Sequence, residues 1–577
     1  MPPKIVIVGG GLAGLSAAMR VAELGIPLTL YSLVPVRRSH SVCAQGGING
    51  AVNTKGEGDS TWQHFDDSVY GGDFLANQPP VKAMADAAPG IIYLFDRMGV
   101  PFNRTPEGLI DFRRFGGTRM HRTAFAGATT GQQLLYALDE QVRRFQAAGL
   151  VDKREHHEFL GPILDDAGVC RGLAMQNLHS MEIEAVPADA VILATGGVGM
   201  IFGKSTNSII NTGTATSAAY QAGVIYANPE MIQVHPTTIP GDDKLRLMSE
   251  SIRGEGGRVW VPRDGKPWYF LEEWYPSYGN LVPRDIATRA IFKVVVDMKL
   301  GVDGKNMVYL DVSDLPDAVL DQKLGGVVEI YQKFVGDDPH KVPMRVFPGM
   351  HYSMGGLWVD YDQMTNIPGL FACGETDYQY HGANRLGANS LLSCVYAGMI
   401  TGPNAVRYAQ GLEKSVDAVP QSVYTAAKVV HEESQQEILR LSGSENPYLL
   451  HKELGEWMTQ NATVIRYNDR LDRTRDKILE LKDRWHRIDL PDKGEWANAS
   501  VSFTRQLWNM FVLSEAIVAG ARLRDESRGA HYKPDFPDRD DEHFLKTTRA
   551  RFTPDGPSMD YEAVDVSLIE PRLRHYE

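Results

Sequence analysis

Five short segments of this 577-residue chain set histidine, serine or arginine beside glycine or proline. They are Gln233-Val234-His235-Pro236-Thr237; residues 249–257 with Ser249, Glu250 and Arg253; Val282-Pro283-Arg284-Asp285; residues 351–356 beginning at His351; and residues 381–391 with Arg385, Ser390 and Leu391. Imidazole, hydroxyl and the forked guanidinium all hydrogen-bond carboxylates. Taken singly, each of these residues serves as readily in an ordinary ion pair or core hydrogen bond. The formal net charge is −13, which argues against nucleic acid as the main partner, so an anionic ligand would need a local basic cluster of this kind.

The elements that must position such groups begin at the N-terminus. Ile5-Val6-Ile7-Val8 reads as a strand, followed by Gly9-Gly10-Gly11-Leu12-Ala13-Gly14, an Ala-rich helix to about Leu24 and a second strand from Leu28 to Tyr31. In this β-turn-α-β unit Gly9 permits the tight turn, Gly11 lets backbone N–H groups approach a pyrophosphate, and Gly14 lets helix and strand pack closely. A dinucleotide site follows, FAD and NAD being equally compatible with the glycines. Where an acidic ribose ligand is expected the chain offers Tyr31 and Ser32. Two later apolar runs end in glycine, Ala190 to Gly197 and Gly369 to Gly374-Glu375, and read as further strands of the same parallel sheet.

The length predicts two to four domains. We expect an α/β fold: a Rossmann-like dinucleotide-binding domain in two parts (1–228 and 351–410), an inserted α+β capping domain (229–350), a helical domain (411–526) and a small C-terminal domain (527–577). The helical expectation rests on Leu450, Leu454, Trp457 and Met458, and on Leu507, Met510, Phe511, Ser514, Ile517 and Val518, which follow i, i+3, i+4, i+7 spacing. No apolar run approaches the roughly 20 residues of a membrane span, and the N-terminus does not read as a cleavable signal. Cys43, Cys170, Cys373 and Cys394 form no C-x-x-C pair. Neither a disulfide framework nor an iron–sulfur cluster within the chain is expected, and a reducing, cytoplasm-like compartment fits.

Between the second strand and the inserted material stands Arg37-Arg38-Ser39-His40-Ser41-Val42-Cys43-Ala44-Gln45-Gly46-Gly47. With the five segments above, and with Arg528-Gly529-Ala530-His531 near the end, it resembles the succinate dehydrogenase and fumarate reductase flavoprotein family, in its Bacillus-like branch, over essentially the whole chain. The resemblance departs at Thr214, where many relatives carry Asp, and at Ser249, which replaces a common Thr and keeps a hydroxyl.

The resemblance implies FAD bound covalently through His40 to the flavin 8α-methyl carbon, with Gly9, Gly11, Gly14, Ser32, Ser41, Gly46, Gly47, Glu375, Ser390 and Leu391 as further cofactor contacts. It assigns His235, Ser249, His351 and Arg385 to the two carboxylates of succinate or fumarate, the histidines as imidazolium. It assigns proton transfer to Arg284, resupplied through Glu250 and Arg253. Because only roughly one arginine in a million is neutral at pH 7, Arg284 is easier to rationalise as the donor to fumarate than as the base for succinate. Flavin N5 would exchange the hydride.

The chain would hand electrons to an iron–sulfur subunit, and through it to a membrane-anchor cytochrome b subunit and quinone, from the cytoplasmic face of the cell membrane. L-Aspartate oxidase and soluble fumarate reductases share the fold without the linking histidine. A flavin-containing RNA-modification protein would carry a basic face, which the acidic balance opposes. Either direction of the succinate–fumarate reaction is compatible with one site.

Overall fold

The computed structural model describes residues 2–576 apart from residue 243. β1 (Ile5–Val8), α1 (Leu12–Glu23) and β2 (Leu28–Ser32) form the expected unit. β1 is buried along its whole length, as an apolar strand covered on both faces must be. The five strands of its sheet run in the order Leu370–Ala372, Ala190–Leu193, β1, β2, Val151–Glu155, all parallel. The three glycine-terminated strands of the sequence therefore lie side by side, with their carboxyl ends at one edge. The chain first builds outward from β1 through β2 to Val151–Glu155 and only later adds Ala190–Leu193 on the other side of β1, so the Gly9 turn sits at the switch point where α/β sheets open a crevice for ligands.

Gly9 has φ +120°, and a Cβ there would lie 2.0 Å from the Ala194 carbonyl oxygen. A Cβ on Gly14 would lie 1.8 Å from the Gly9 oxygen, which is the close helix-to-strand contact expected of the third glycine.

Material inserted between the fourth and fifth of these strands in chain order, Ala190–Leu193 and Leu370–Ala372, builds a second sheet. Its six antiparallel strands include Ile232–Ile239 paired to Met344–Ser353, with the short edge strand Arg246–Leu247 beyond. The helix Arg284–Phe292 packs on it, and Thr288 Oγ1 donates to the Val234 carbonyl at 3.2 Å. This layer has its own core, including Val259, Phe270, Ile291, Val308 and Leu310.

Helices Pro447–Asn461, Asn468–Trp485 and Ala499–Leu523 enclose a third core, in which Leu450, Leu454, Met458, Leu507, Met510, Phe511, Ile517 and Val518 are all buried. Trp457 is not among the buried residues. The segment beyond residue 527 adds a hairpin, Lys546–Arg551 with Ser558–Ala563, whose first strand pairs with Tyr226–Ala227. Its sheet is thus shared with the first half of the chain.

Candidate active site

A cavity of about 510 Å³ runs from the Gly9–Gly11 turn to the sheet inserted between residues 232 and 353. At one end the wall is Gly9, Gly11, Ser32 and Ser41. A Cβ on Gly11 would meet only Ser41 Oγ, at 3.2 Å, so the first turn of α1 is open to a close approach. Its N–H groups, lacking intrahelical partners, suit a pyrophosphate. Gly14 lies behind this wall, in the helix-packing contact. Ser32 Oγ donates to the Val34 carbonyl. Thr214 also lines the cavity, with its hydroxyl 3.0 Å from that of Thr212.

His40, Gly46, Gly47, Glu375, Ser390 and Leu391 also line the cavity. Ser390 and Leu391 stand in the first turn of the helix Asn389–Gln410, a second helix N-terminus directed at negative charge. Burial raises the Glu375 carboxyl to about 7, and its Oε1 accepts the Ser353 N–H at 3.0 Å. Burial, and after it the charge of Lys244, bring the His40 imidazole down to about 4. His40 Nδ1 accepts the Ser208 N–H at 3.2 Å, and Asn207 Nδ2 lies 3.4 Å from its Nε2. The glycine-lined cradle, the two helix N-termini and the unprotonated imidazole between them fit a flavin dinucleotide.

The far end collects the remaining groups. His235 sits on Ile232–Ile239 beside a bulge, where the pairing to Met344–Ser353 slips between His235 and Thr238. Bulges re-aim side chains in this way, and here the ring comes to 5.0 Å from that of His351, centre to centre. His351 Nδ1 lies 2.7 Å from Thr206 Oγ1. Ser249 Oγ accepts from the Ser251 hydroxyl at 2.8 Å, leaving its own hydrogen for a ligand.

Three guanidiniums and one carboxylate share this space. Arg284 Nε donates to Glu250 Oε2 at 2.8 Å, and Arg253 donates to Glu250 Oε1 at 2.6 Å. Burial alone would raise the Glu250 carboxyl, but Arg284 and Arg253 together hold it below its ordinary value, so it stays ionised. Glycines make room for it: a Cβ on Gly116 would lie 2.2 Å from Glu250 Oε1, and one on Gly387 would lie 2.6 Å from Oε2. Arg253 itself lies behind Glu250, off the cavity wall, and donates to the Asn280 carbonyl at 2.7 Å.

Arg385 is 1% exposed, and its Nε and one terminal nitrogen have no hydrogen-bond partner. His235 Nε2 is likewise buried and unpartnered. Unpaired buried donors of this kind are costly and call for a ligand. Burial, with Arg284 next, brings Arg385 down to about 9, still charged at neutral pH. Burial and the neighbouring arginines push both His235 and His351 well below the ordinary histidine value. The two imidazoles are therefore neutral here, a correction to the imidazolium expected from the sequence. His235 Nδ1 lies 2.9 Å from the Thr237 carbonyl oxygen and 3.1 Å from the Thr237 N–H, so the tautomer sets whether Nε2 donates or accepts. The arginines, less Glu250, leave the pocket with two positive charges, matching a dicarboxylate.

Sequence reasoning missed several members of this arrangement. Gln233 accepts from Arg284 at 3.1 Å and donates to Asn384 Oδ1 at 3.0 Å and the Arg385 carbonyl at 2.8 Å, tying the two arginines together. Its place two residues before His235 on one strand was an available cue. Asn207 touches His40 and donates to the His351 carbonyl at 2.8 Å, while Lys244 fixes the Asn207 carbonyl at 3.0 Å. Buried Arg113 holds the Gly46 carbonyl from behind, its Nε at 3.0 Å. None of these three carries a spacing signal, because each acts from a loop or strand remote in sequence.

Residues 4–391 match the family model described as FAD binding domain, and residues 451–576 match the one described as Fumarate reductase flavoprotein C-term. The chain is 66% identical to the succinate dehydrogenase flavoprotein subunit of Bacillus subtilis over 575 residues, covering 99% of this chain and 98% of that protein. It is 34% identical to the fumarate reductase flavoprotein subunit of Escherichia coli over 592 residues, covering 99% and 95% respectively. A solved structure of E. coli quinol fumarate reductase superposes with a TM-score of 0.91 at 32% identity, over 99% of this chain and 98% of that one.

Proposed function

Because the chain belongs to the succinate dehydrogenase and fumarate reductase flavoprotein family, we propose that it interconverts succinate and fumarate at a bound FAD, with the Arg284–Glu250–Arg385 pocket as its dicarboxylate site. The observation that carries the site assignment is the two buried, unpartnered donors of Arg385, with the unpartnered Nε2 of His235 in the same cavity, inside a pocket with two excess positive charges. A dianion spanning the pocket would satisfy these donors and neutralise the excess.

The bound FAD supplies a hydride acceptor and donor. The protein groups do the rest. Arg385 grips one carboxylate through its fork, while Ser249, His235 and His351 offer single donors to the other. Arg284 holds a proton toward the reacting carbon, and Glu250, ionised and hydrogen-bonded to Arg284 and Arg253, returns it. As an acid Arg284 needs no depressed pKa, so fumarate reduction is direct. Succinate oxidation requires the proton to pass from Arg284 to Glu250 in the same motion.

His40 would hold the flavin covalently. Its imidazole stays unprotonated down to about 4, whereas an ordinary histidine gains its proton near 6.5. Attachment should therefore proceed without loss as pH falls from 7 through that ordinary value. In-gel flavin fluorescence of denatured protein measures it: a constant yield is expected, and His40→Ser should give none while retaining FAD that acid precipitation releases. Release of all flavin from acid-precipitated wild type would contradict the linkage.

Electrons leaving the flavin for a quinone must cross to a membrane through carriers that this chain does not supply among its described residues. We assign these to an iron–sulfur subunit and a membrane-anchor cytochrome b subunit, with the chain lying peripherally on the cytoplasmic face of the membrane. Among the described residues no helix is long and apolar enough to cross a membrane. Purification of the native complex tests the reading: succinate-to-quinone and quinol-to-fumarate turnover should both appear and both yield to malonate. A complex inert in both directions would exclude it, and the ratio of the rates gives the physiological direction.

A further inference from the structure

The segment around Arg574 reaches back across the molecule to the start of the Arg284 helix. Arg574 is 7% exposed in its side chain and donates to Asp285 Oδ2 at 2.7 Å, with Asp73 Oδ2 at 3.1 Å. Asp285 is the residue after Arg284, in the first turn of the helix Arg284–Phe292. Asp73 belongs to the flavin-binding half of the chain and is itself fixed by Arg539 at 2.9 Å and by the Gly529 N–H at 2.8 Å. Burial raises the Asp73 carboxyl and the surrounding arginines, Arg574 first, more than reverse this, so Asp73 stays ionised. Beside it, Tyr576 is 4% exposed and packs edge-on to Tyr278 at 5.0 Å and tilted against Tyr70 at 5.6 Å.

A second route leads from Arg574 to the same catalytic group. Arg574 donates to the Gly71 carbonyl at 3.3 Å, and that oxygen also accepts Asn384 Nδ2 at 3.0 Å. Asn384 accepts from Gln233, and Gln233 accepts from Arg284. One guanidinium thus contacts both the backbone neighbour of Arg284 and the chain of amides that holds the Arg284 side chain. Asp285 Oδ1 has no hydrogen-bond partner, and Arg289 reaches Asp285 Oδ2 only at 3.4 Å.

We infer that Arg574 is a positioning residue for Arg284: it fixes the depth of the helix start, and so the aim of the proton-bearing guanidinium, by bracing Asp285 against Asp73. This rests on the proton role proposed for Arg284. A displacement near 1 Å at a reacting group costs on the order of 10²-fold in rate, so a modest shift of the helix start would be read in turnover.

The test compares the flavin-loaded full chain with Arg574→Gln and Arg574→Lys. Per mole of bound flavin, Arg574→Gln should lower kcat for fumarate reduction by about tenfold or more, while malonate affinity changes by less than about twofold. Arg574→Lys, which keeps the charge but not the simultaneous reach to Asp285 and Gly71, should be intermediate, and it carries the test if the Gln variant does not fold. Amide hydrogen exchange over residues 284–292 should rise in both. Unchanged kcat per flavin, or malonate binding lost in parallel with kcat, would overturn the inference, as would unchanged exchange. If wild type turns over no dicarboxylate, the functional reading fails, and the exchange comparison still decides whether Arg574 holds this helix.

Discussion

Arg284→Lys should lower kcat for fumarate reduction by about 10² or more, the usual scale for a displaced general acid. Lysine keeps the positive charge but donates from one nitrogen on a shorter stem, whereas Arg284 reaches Glu250 Oε2 from Nε at 2.8 Å and Gln233 Oε1 from a terminal nitrogen at 3.1 Å. The proton is then carried on the wrong atom at the wrong distance. Malonate, which binds without reacting, should lose only a few-fold in affinity because the pocket keeps its two excess charges. Glu250→Gln should follow the same pattern, since it removes the proton return and keeps the shape. Steady-state kinetics beside a malonate titration separate the outcomes. Loss of malonate binding in proportion to activity would make Arg284 a substrate clamp and move the proton role elsewhere.

The opposite balance is expected at Arg385. Its fork is buried, stacks over Tyr352 at 4.4 Å and has two nitrogens with no protein partner. Removing one partner of a buried, hydrogen-bonded charge pair costs about 2–5 kcal/mol. Arg385→Gln should therefore weaken malonate and fumarate binding by on the order of 10² or more. Arg385→Lys, which replaces the fork by a point charge, should fall between Gln and wild type. The Tm should not drop with affinity, because in the free protein Arg385 is an unsatisfied buried charge whose removal relieves a cost. Equal malonate affinity in Arg385→Gln and wild type would place the carboxylate grip on other residues.

The parts of this molecule legible in its sequence are those encoded by neighbours along the chain. The Gly9–Gly14 turn, the strands it joins and the His40 segment are local patterns, and the helices around Leu450 and Leu507 show their buried faces by periodicity. The dicarboxylate pocket was legible as residue types, because His235, Arg284, His351 and Arg385 sit in distinctive short segments. Its electrostatics were not. Whether His235 and His351 carry charge depends on burial and on arginines contributed by other segments, which no spacing discloses. Asn207 and Arg574 were missed for a related reason: each holds a functional group across a long stretch of sequence, and an amide or guanidinium in a loop looks the same with or without that partner.

The central claim, that this pocket presents a dicarboxylate to a bound flavin for hydride exchange, is tested most directly by anaerobic mixing of the oxidised, flavin-loaded chain with succinate. The account predicts that succinate bleaches the oxidised flavin absorbance, that fumarate restores it, and that malonate blocks bleaching while perturbing the flavin spectrum itself. Absorbance unchanged at saturating succinate, with no spectral response to malonate, would contradict it.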